Sequence, residues 1–349
     1  MFDIRLIREN IEAVKSGLAA KNVKADLDDI LQLDQKNRQL LVEVEQLRGQ
    51  KNTANDAISR LLKEKKDPKE KIASMKAIAV KIDDLEPQIK EIQMKIQDCL
   101  LGIPNLPHAS VPVGGIEKNQ VIRSWSEPKT FDFKLRTHVE IAEQLDIIDF
   151  KRAAKITGSN FILFKKEGAL LERALINFML DVHTREHGYT EVFPPVLVNR
   201  DSMIGTGQLP KMEADMYRLK DEDLFLVPTA EVPVTNIHRG EVLNEEELPI
   251  CYAAYTPCFR REAGSYGKET KGLVRVHQFD KVELVKFVRP ADSYDDLEKL
   301  VGHAEKIFQL LGLPYRVLLL ASGDLSFAAA KCYDIEVHAA GLDKWLECS

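Results

Sequence analysis

Apolar residues recur at alternating four- and three-residue spacings along two long stretches near the N-terminus. They are Leu40, Val44, Leu47, Ala54, Ile58 and Leu61 in the first stretch and Ile72, Met75, Ala79, Ile82, Ile89 and Ile96 in the second. Such spacing keeps one stripe of a helix against a single partner, as in a coiled coil. Because only the short charged segment 63–71 separates the stretches, they are predicted to pair antiparallel as a helical hairpin.

Three residues interrupt this apolar seam. Asn37 and Lys51 fall in register with it, where polar side chains set the alignment of two helices at a cost in stability. Pro87 removes a backbone donor from the second helix, and a kink or a frayed turn is expected there. Each arm should be about 45–50 Å long at 1.5 Å per residue.

The hairpin is locally basic although the chain as a whole is acidic. Residues 36–71 contain ten Lys or Arg and six Asp or Glu, whereas the 349 residues together carry a formal charge of -6. These charges either solvate a long exposed helix or form a cationic patch for nucleic acid, and composition alone favours solvation. Any RNA site must therefore be local, because phosphate binding needs concentrated positive charge.

The remaining composition indicates a cytoplasmic protein of two domains. Its five cysteines are scattered and form no Cys-x-x-Cys pair, and no apolar run approaches the roughly 18 residues that cross a bilayer. We therefore expect no structural zinc and no membrane contact. Prolines and a glycine in 102–108 end the second helix, which predicts a helical arm at 1–105 and a second domain at 106–349.

The second domain mixes helical and strand patterns. Helical spacing covers 168–188, and strand patterns cover 225–232, 252–262, 274–288 and 331–340. Long strands in hairpin-like order favour an antiparallel sheet flanked by helices, which is an α+β fold. The sequence contains no Walker loop and no convincing GxGxxG turn after a strand. If ATP binds, another device must hold it.

The densest group of charged residues lies in 256–284, on or beside two of these strands. It comprises Arg260, Arg261, Glu262, Arg275, His277 and Glu283. Arginine forks suit a polyphosphate, a carboxylate accepts from an exocyclic amine, and Phe279 offers a face to a purine. Each residue alone is better explained by a cross-strand ion pair. The whole set predicts a nucleotide site.

Several segments resemble the bacterial-type seryl-tRNA synthetases, a family of class II aminoacyl-tRNA synthetases. FRREAGSYG (259–267) and GLVRVHQFDKVEL (272–284) are similar to motif 2, and VPTAEVPVTN (227–236) is similar to the TAE loop over the serine pocket. GTGQLPK (205–211) resembles the segment before that loop, and the helix leading into FPP (193–195) resembles motif 1. With the helical hairpin, the resemblance covers essentially the whole chain.

This resemblance implies the class II synthetase catalytic fold, an antiparallel sheet surrounded by helices, with the hairpin appended as an arm. It implies a serine–tRNA ligase that forms seryl adenylate from L-serine and ATP and then acylates tRNA(Ser), with tRNA(Sec) as a further substrate. The serine carboxylate itself attacks the α-phosphate, so the protein supplies positioning and charge stabilisation. A homodimer is also implied, in which the arm of one subunit reaches the tRNA held by the other.

The resemblance assigns the nucleotide contacts residue by residue. Arg260 would contact the α-phosphate and the serine carboxylate, and Arg275 the outer phosphates. Glu262 would receive the adenine amine, and Phe279 would stack on the ring. Arg260, Glu262 and Arg275 are thus the expected catalytic residues. Further ATP contacts are implied for Arg261, Val276, His277 and Gln278.

The resemblance also implies the serine and metal contacts. L-Serine would be held by Thr229, Ala230, Glu231, Arg260 and Glu283. Bound alanine would leave such buried polar groups unpaired. A Mg²⁺ ion would lie on Glu347, with Cys348 and Ser349 beside ATP, since this ion takes oxygen ligands and few protein contacts. His338 stands where the family has an aromatic residue.

The chain ends at Ser349, where the family continues into motif 3 and its γ-phosphate arginine. We expect a fragment of a longer protein rather than a shortened paralogue, and weak or no adenylation by these 349 residues alone. Two other functions stay open. One is an enzyme that loads an amino acid onto a carrier protein, which the long arm disfavours. The other is a tRNA-binding or dimer-forming protein without catalysis. The lack of motif 3 favours it, and the intact Arg260, Glu262 and Glu283 disfavour it.

Overall fold

The computed structural model describes residues 2–262 and 272–349. The middle of the predicted motif 2 loop, residues 263–271, lies outside the described residues. The chain divides into two compact units, Met1–Ala109 and Ser110–Ser349. Among the described residues, no helix combines the length and the apolar character needed to cross a membrane.

The regular structure of the first unit is helical. Its helices are α1 (Ile4–Glu9), α2 (Ile11–Ala20), α3 (Leu27–Lys63) and α4 (Lys69–Leu101). The side chains of Asn10 and Asp26 accept backbone N–H bonds at the starts of α2 and α3 and so satisfy donors that the helices leave unpaired. The two long helices form the predicted hairpin.

Buried apolar residues of α3 and α4 line the seam of the hairpin. Its middle contains Val44, Leu47, Ile82 and Ile89. With 37 residues, α3 is about 55 Å long, slightly longer than expected. Helix α4 runs without a break through Pro87, so the frayed turn expected there does not form. Burial of Ile82 and Ile89 on either side outweighs the loss of one backbone donor.

The second unit combines helices and strands. Its helices are α5 (His138–Gln144), α6 (Phe150–Ile156), α7 (Glu167–Arg185), α8 (Arg200–Gly205), α9 (Glu231–Thr235) and α10 (Ser293–Leu311). Its strands are β1 (Gln120–Trp125), β2 (Thr190–Val192), β3 (Leu197–Asn199), β4 (Leu224–Leu226), β5 (Ile250–Phe259), β6 (Gln278–Phe287), β7 (Tyr315–Leu319), β8 (Tyr333–Ala339) and β9 (Lys344–Glu347). The predicted helix at 168–188 is α7, and three of the four predicted strands are β5, β6 and β8.

The described strands form three sheets. The order β1-β7-β8-β9 is antiparallel throughout, and β3 pairs antiparallel with β4. In the third sheet, β5 pairs antiparallel with β6, whereas β2 joins β5 in parallel. The predicted α+β fold is confirmed, with one parallel pair in an otherwise antiparallel arrangement.

The β5–β6 hairpin places the candidate site. Its ten-residue strands pair without a break in register, and side chains alternate between two faces. Lys281 and Glu283 lie on one face, here called the front face. Ala253 and Leu284 lie on the other, the back face, where they pack with Leu180 of α7.

The strand predicted at 225–232 is wrong beyond its first two residues. Strand β4 ends at Leu226, and Glu231 begins α9. Pro228 lacks the N–H that a strand ladder needs. The Thr229 hydroxyl oxygen accepts from the Glu231 N–H, and the Thr229 carbonyl oxygen accepts from the Val232 N–H, both at 3.2 Å. These bonds start a helical turn. The TAE segment is therefore a helix start rather than a strand.

Candidate functional site

A cavity of about 630 Å³ lies beside the front face of the β5–β6 hairpin, within the second unit. Its lining residues are Thr206, Gly207, Gln208, Met212, Asp215, Met216, Pro228, Thr229, Glu231, Arg260, Glu262, Arg275, Lys281, Ser326, Phe327 and Ala328. Five residues predicted to bind serine or ATP therefore meet in one cavity: Thr229, Glu231, Arg260, Glu262 and Arg275.

Thr229, Glu231, Lys281 and Glu283 form a hydrogen-bonded group, here called the carboxylate group. The Thr229 hydroxyl donates to Glu283 Oε2 at 2.9 Å and accepts from Lys281 Nζ at 2.6 Å. Lys281 Nζ also lies 2.7 Å from Glu283 Oε2. Because Thr229 is buried, these protein partners satisfy its hydroxyl without water.

The carboxylate group contains more negative than positive charge. Burial raises the pKa of Glu231, and the neighbouring charge of Glu283 raises it further, while Lys281 and Arg260 act in the opposite direction. A cationic ligand group would relieve the repulsion between the two carboxylates. This part of the cavity can therefore accept an ammonium group together with a small polar substituent.

Arg260 follows the end of β5 and is held by both its backbone and its side chain. Its N–H donates to the His277 carbonyl at 3.0 Å, and its own carbonyl lies 2.9 Å from His277 Nδ1. Its Nε donates to the Pro228 carbonyl at 3.2 Å, and its guanidinium lies 5.1 Å from the centre of the Phe279 ring. The guanidinium is therefore fixed in the cavity wall next to Thr229.

Glu262 and Arg275 both line the cavity. In the sequence they stand before and after residues 263–271. Arg275 Nη1 lies 3.6 Å from Glu262 Oε2, and the Arg275 side chain is 50% exposed. Exposed ion pairs of this kind contribute little to stability. Glu262 has φ of 49°, a backbone conformation that costs free energy outside glycine. Both side chains can therefore exchange their mutual contact for a ligand.

The other residues predicted to touch ATP lie next to the cavity rather than in its lining: Arg261, Val276, His277, Gln278 and Phe279. Arg261 is exposed and Val276 is buried. The guanidinium of Arg260 covers one face of Phe279, which is the ring predicted to stack on adenine. Ala230, predicted to contact serine, is fully buried behind the cavity wall with Val234 and Ala254.

The last three residues lie at the β8–β9 pair and outside the cavity lining. Glu347 pairs with Glu336 across the two strands. The Cys348 N–H donates to the Ile335 carbonyl at 2.9 Å, and the Ile335 N–H donates to the Ser349 carbonyl at 2.8 Å. Residues 347–349 are exposed. The structure thus places them together at the end of β9, and none of the three is among the residues that line the cavity.

His338, the departure from the family pattern, is a cross-strand neighbour of Trp345. The two rings meet edge to face at 5.2 Å, and His338 Nε2 lies 3.4 Å from an Asp343 carboxylate oxygen. Within residues 2–262 and 272–349, no three His, Cys, Asp or Glu side chains are grouped so that they could hold a metal ion by themselves.

Three parts of the site were missed in the sequence: Lys281, the group Met212, Asp215 and Met216, and residues 326–328. Lys281 shares the front face with Phe279 and Glu283, and the two-residue spacing of a strand could have revealed it. Residues 326–328 carry no local signal, because they reach the cavity only through the fold. Gly207 shows how closely the segments approach, since a side chain there would lie 3.2 Å from the Ala328 Cβ.

Two family models match the chain. The seryl-tRNA synthetase N-terminal domain matches residues 1–107, and the tRNA synthetase class II core domain (G, H, P, S and T) matches residues 215–349. The resemblance noted in the sequence is thereby confirmed.

Curated relatives and solved structures agree with these matches. The serine–tRNA ligases of Trichlorobacter lovleyi and Geobacter sulfurreducens are 53% and 52% identical over 350 residues, covering 100% of this chain and 82% and 83% of the relatives. The crystal structure of seryl-tRNA synthetase from Pyrococcus horikoshii complexed with ATP matches with a TM-score of 0.90 at 39% identity, covering 99% of this chain and 83% of that one.

Proposed function

The chain belongs to the seryl-tRNA synthetase family, and on that premise we propose that it activates L-serine with ATP and transfers the seryl group to tRNA(Ser). One observation carries the proposal. Three members of the carboxylate group, Thr229, Glu231 and Lys281, line the same cavity as three charged residues suited to ATP, namely Arg260, Glu262 and Arg275. Glu283 does not line the cavity itself and is bonded to Thr229. An amino acid and a nucleotide can therefore meet there.

Serine binds at the carboxylate group. Its ammonium group is attracted by Glu231 and Glu283, whose repulsion it relieves. Its hydroxyl pairs with the polar atoms of Thr229 and Glu283, and Ala230 shapes the wall behind them. Alanine would offer these groups no hydroxyl, and threonine would need room for a further methyl group next to the buried Thr229 and Ala230.

Activation requires no nucleophile from the protein. The serine carboxylate oxygen forms a bond to the α-phosphorus of ATP as the bond to pyrophosphate breaks. Arg260, tied to Pro228 next to Thr229, orients the serine carboxylate and stabilises the charge that develops on the α-phosphate. Its fixed position means that little reorganisation is needed during the reaction.

The nucleotide binds on the arginine side of the cavity. Glu262 accepts from the adenine amine, Arg275 holds the outer phosphates, and Phe279 contacts the ring. Arg261, Val276, His277 and Gln278 support these residues from beside the cavity. The Arg275–Glu262 pair, in which the Arg275 side chain is half exposed, opens when ATP enters, since a phosphate offers Arg275 a stronger partner than a carboxylate 3.6 Å away.

The family implies Mg²⁺, and the β8–β9 region fits an ion held mainly by ATP. Burial raises the pKa of Asp334 to about 7, and repulsion from Glu347, Asp324 and Glu336 adds to the shift, which indicates excess negative charge. Mg²⁺ often takes one or two carboxylates with phosphates and waters. Glu347 would hold it, with Cys348 and Ser349 beside the ATP. The bound ion would neutralise phosphate charge.

The α3–α4 hairpin binds tRNA(Ser) in a homodimer, and tRNA(Sec) is a second acceptor. Its cationic side chains are exposed, including Arg48 at 53%, Lys66 at 66% and Lys69 at 88%, as phosphate contacts require. Removal of residues 30–100 should abolish tRNA retention in a filter-binding assay and leave ATP affinity unchanged. Unchanged tRNA affinity would contradict this role of the arm.

Binding of a non-hydrolysable seryl-adenylate analogue to the full chain tests the proposed function. We expect the seryl analogue to bind more tightly than the alanyl and threonyl analogues, and we expect Glu246→Gln, an exposed control, to behave like the parent. Equal binding of the seryl and alanyl analogues would refute serine recognition. Serine-dependent ATP–pyrophosphate exchange tests separately the expectation of weak adenylation by these 349 residues, which rapid exchange would contradict.

A further inference from the structure

The described segment that follows residues 263–271 is held at two points from outside the cavity. The Leu273 N–H donates to His138 Nε2 at 3.0 Å, and the His277 N–H donates to the Asn160 carbonyl at 2.9 Å. Arg275 lies between these bonds, two residues from each. Both partners belong to the stretch 138–160, which contains α5 and α6.

His138 is itself placed by the start of α5. Thr137 Oγ1 accepts from the Glu140 N–H at 3.3 Å, and the Glu140 carboxylate accepts from the Thr137 N–H at 2.7 Å, which forms a capping box. His138 is the first residue of the helix that this box begins. Since Leu273 supplies the hydrogen, Nε2 must be the unprotonated nitrogen of the ring.

Gly272 allows the backbone to lie directly on α5. Its φ is 82°, a conformation that favours glycine. A Cβ at this position would overlap His138 Nε2 and come within 2.7 Å of Val139 Cγ2. Position 272 therefore combines a close approach with a backbone that other residues rarely adopt, which supports a specific contact with His138.

We propose that His138 is a positioning residue for Arg275, which it holds toward the outer phosphates of ATP through its bond to Leu273. His138 touches no substrate in this role. Arg275 is half exposed, and its ion pair to Glu262 at 3.6 Å is weak, so its own contacts do not fix its place. The His138–Leu273 bond does not depend on the proposed function. The effect of that bond on ATP binding does rest on the proposed function, because Arg275 must bind ATP for it to matter.

Three variants of the full chain and one control test the proposal. His138→Phe keeps a ring but removes the acceptor, and His138→Gln supplies an amide oxygen that can accept from Leu273. Gly272→Ala breaks the same contact from the other side. His238→Gln is the control, since the His238 ring bonds to Glu241 and Tyr252 and does not line the cavity.

Amide hydrogen exchange over 272–278 reports the anchor, and calorimetric affinities for ATP and for serine report its effect. We expect His138→Phe and Gly272→Ala to speed exchange there and to weaken ATP binding about two- to fivefold, since loss of position can cost no more than loss of Arg275 itself. Serine affinity should stay unchanged. His138→Gln should restore most of the ATP affinity.

The outcomes separate the two proposals. Unchanged exchange over 272–278 in both His138→Phe and Gly272→Ala would overturn the anchor, as would equal losses of ATP and serine affinity. Normal ATP affinity together with faster exchange would refute the positioning role alone. If the parent chain bound no ATP, the proposed function would fail, while the exchange data would still decide whether His138 holds this segment.

Discussion

The two faces of the β5–β6 hairpin use lysines from the same strand in different ways. On the front face, Lys281 bonds to Thr229 and Glu283 in the cavity wall, where a second acid leaves negative charge in excess. On the back face, Lys286 lies 3.0 Å from Asp296 of α10, with both side chains about one-tenth exposed. The front group keeps a surplus carboxylate that a ligand can neutralise. The back-face carboxylate is already balanced within the protein, by Lys286 and, at 3.6 Å, by Lys299.

Within the single strand β6, Lys281 therefore serves ligand binding, whereas Lys286 serves the stability of the fold. Alternation of side chains keeps the two groups on opposite faces although they are only a few residues apart. Changes on the front face should therefore alter ligand affinity with little effect on folding. Changes on the back face should do the reverse.

The largest effect is expected from Lys286→Met. It leaves the Asp296 carboxylate largely buried without its closest cation, which should lower the free energy of unfolding by about 3 kcal/mol. Urea denaturation measures this loss, and serine and ATP affinities of the folded protein should not change. The double variant Lys286→Met/Asp296→Asn should recover much of the stability. A change in serine affinity would show that the two faces are coupled.

Glu283→Gln should have the next largest effect, and on the opposite property. It removes a charged partner of the serine ammonium group worth about 2 kcal/mol, which is roughly thirtyfold in serine affinity. Stability should not fall, because the repulsion of Glu231 is removed as well. Calorimetric titration with the seryl-adenylate analogue, beside Glu246→Gln, provides the measurement. A large loss of stability with unchanged affinity would contradict the assignment of the front face.

A histidine cluster behind the hairpin gives the back face its own pH dependence. His183 Nδ1 lies 3.0 Å from His187 Nδ1, the His187 and His303 rings stack at 4.2 Å, and the Tyr189 hydroxyl lies 3.0 Å from His303 Nδ1. Burial lowers the pKa values of His183 and His303 to about 4, with a smaller contribution from His187. The folded protein therefore favours neutral rings.

Acidification should accordingly destabilise the fold through this cluster. The unfolded histidines take up protons below a pH of about 6.5, whereas the folded ones resist until about 4. Stability is thus complete above pH 6.5 and falls as the pH drops toward 4. We expect His183, which is 3% exposed, to account for about 1 kcal/mol at pH 5 after allowance for solvent screening.

Urea denaturation at pH 7 and pH 5 tests this assignment. His183→Gln, which cannot be protonated in this range, should reduce the difference between the two pH values. His238→Gln, a histidine outside the cluster, should leave the difference as it is in the parent. Equal pH dependence in the parent and in His183→Gln would place the sensitive groups elsewhere.

The smallest effect is expected from Arg275→Gln. Because the side chain is half exposed, its phosphate contact is screened, and ATP affinity should fall only about fivefold, or roughly 1 kcal/mol. The loss should shrink as salt is added, and serine affinity should stay constant. Arg289→Gln, an equally exposed arginine outside the cavity lining, serves as the control. Salt-independent loss would indicate a buried contact instead.

Local patterns predicted much of this fold. The hairpin of α3 and α4, helix α7 and the strands β5, β6 and β8 follow from periodicity, because one buried face imposes a repeat on each element. The strand prediction failed at 225–232, where Pro228 and the hydrogen bonds of Thr229 outweigh an apolar run. Most of the apolar residues of this segment are buried, but those beyond Leu226 do not belong to a paired strand.

The candidate site was predictable only in part. Arg260, Glu262 and Arg275 stand close together in the sequence beside paired strands, and the structure brings them to one cavity with Thr229 and Glu231. Lys281 was overlooked, although its spacing from Glu283 placed it on the same face. Residues 326–328 could not have been found, since nothing near them in the sequence indicates the opposite wall.

The order of elements, the family and the types of charged residue at the site are therefore properties of the linear sequence, because they depend on periodicity and on contiguous motifs. Three features emerge only on folding. They are the hydrogen-bonded carboxylate group around Thr229, the support of Arg275 by His138, and the buried ion pair of Lys286 and Asp296. The first two join segments far apart along the chain, and the third joins β6 to the helix α10 that follows it. Such contacts depend on distances and on desolvation, and neither is encoded in the spacing of neighbouring residues.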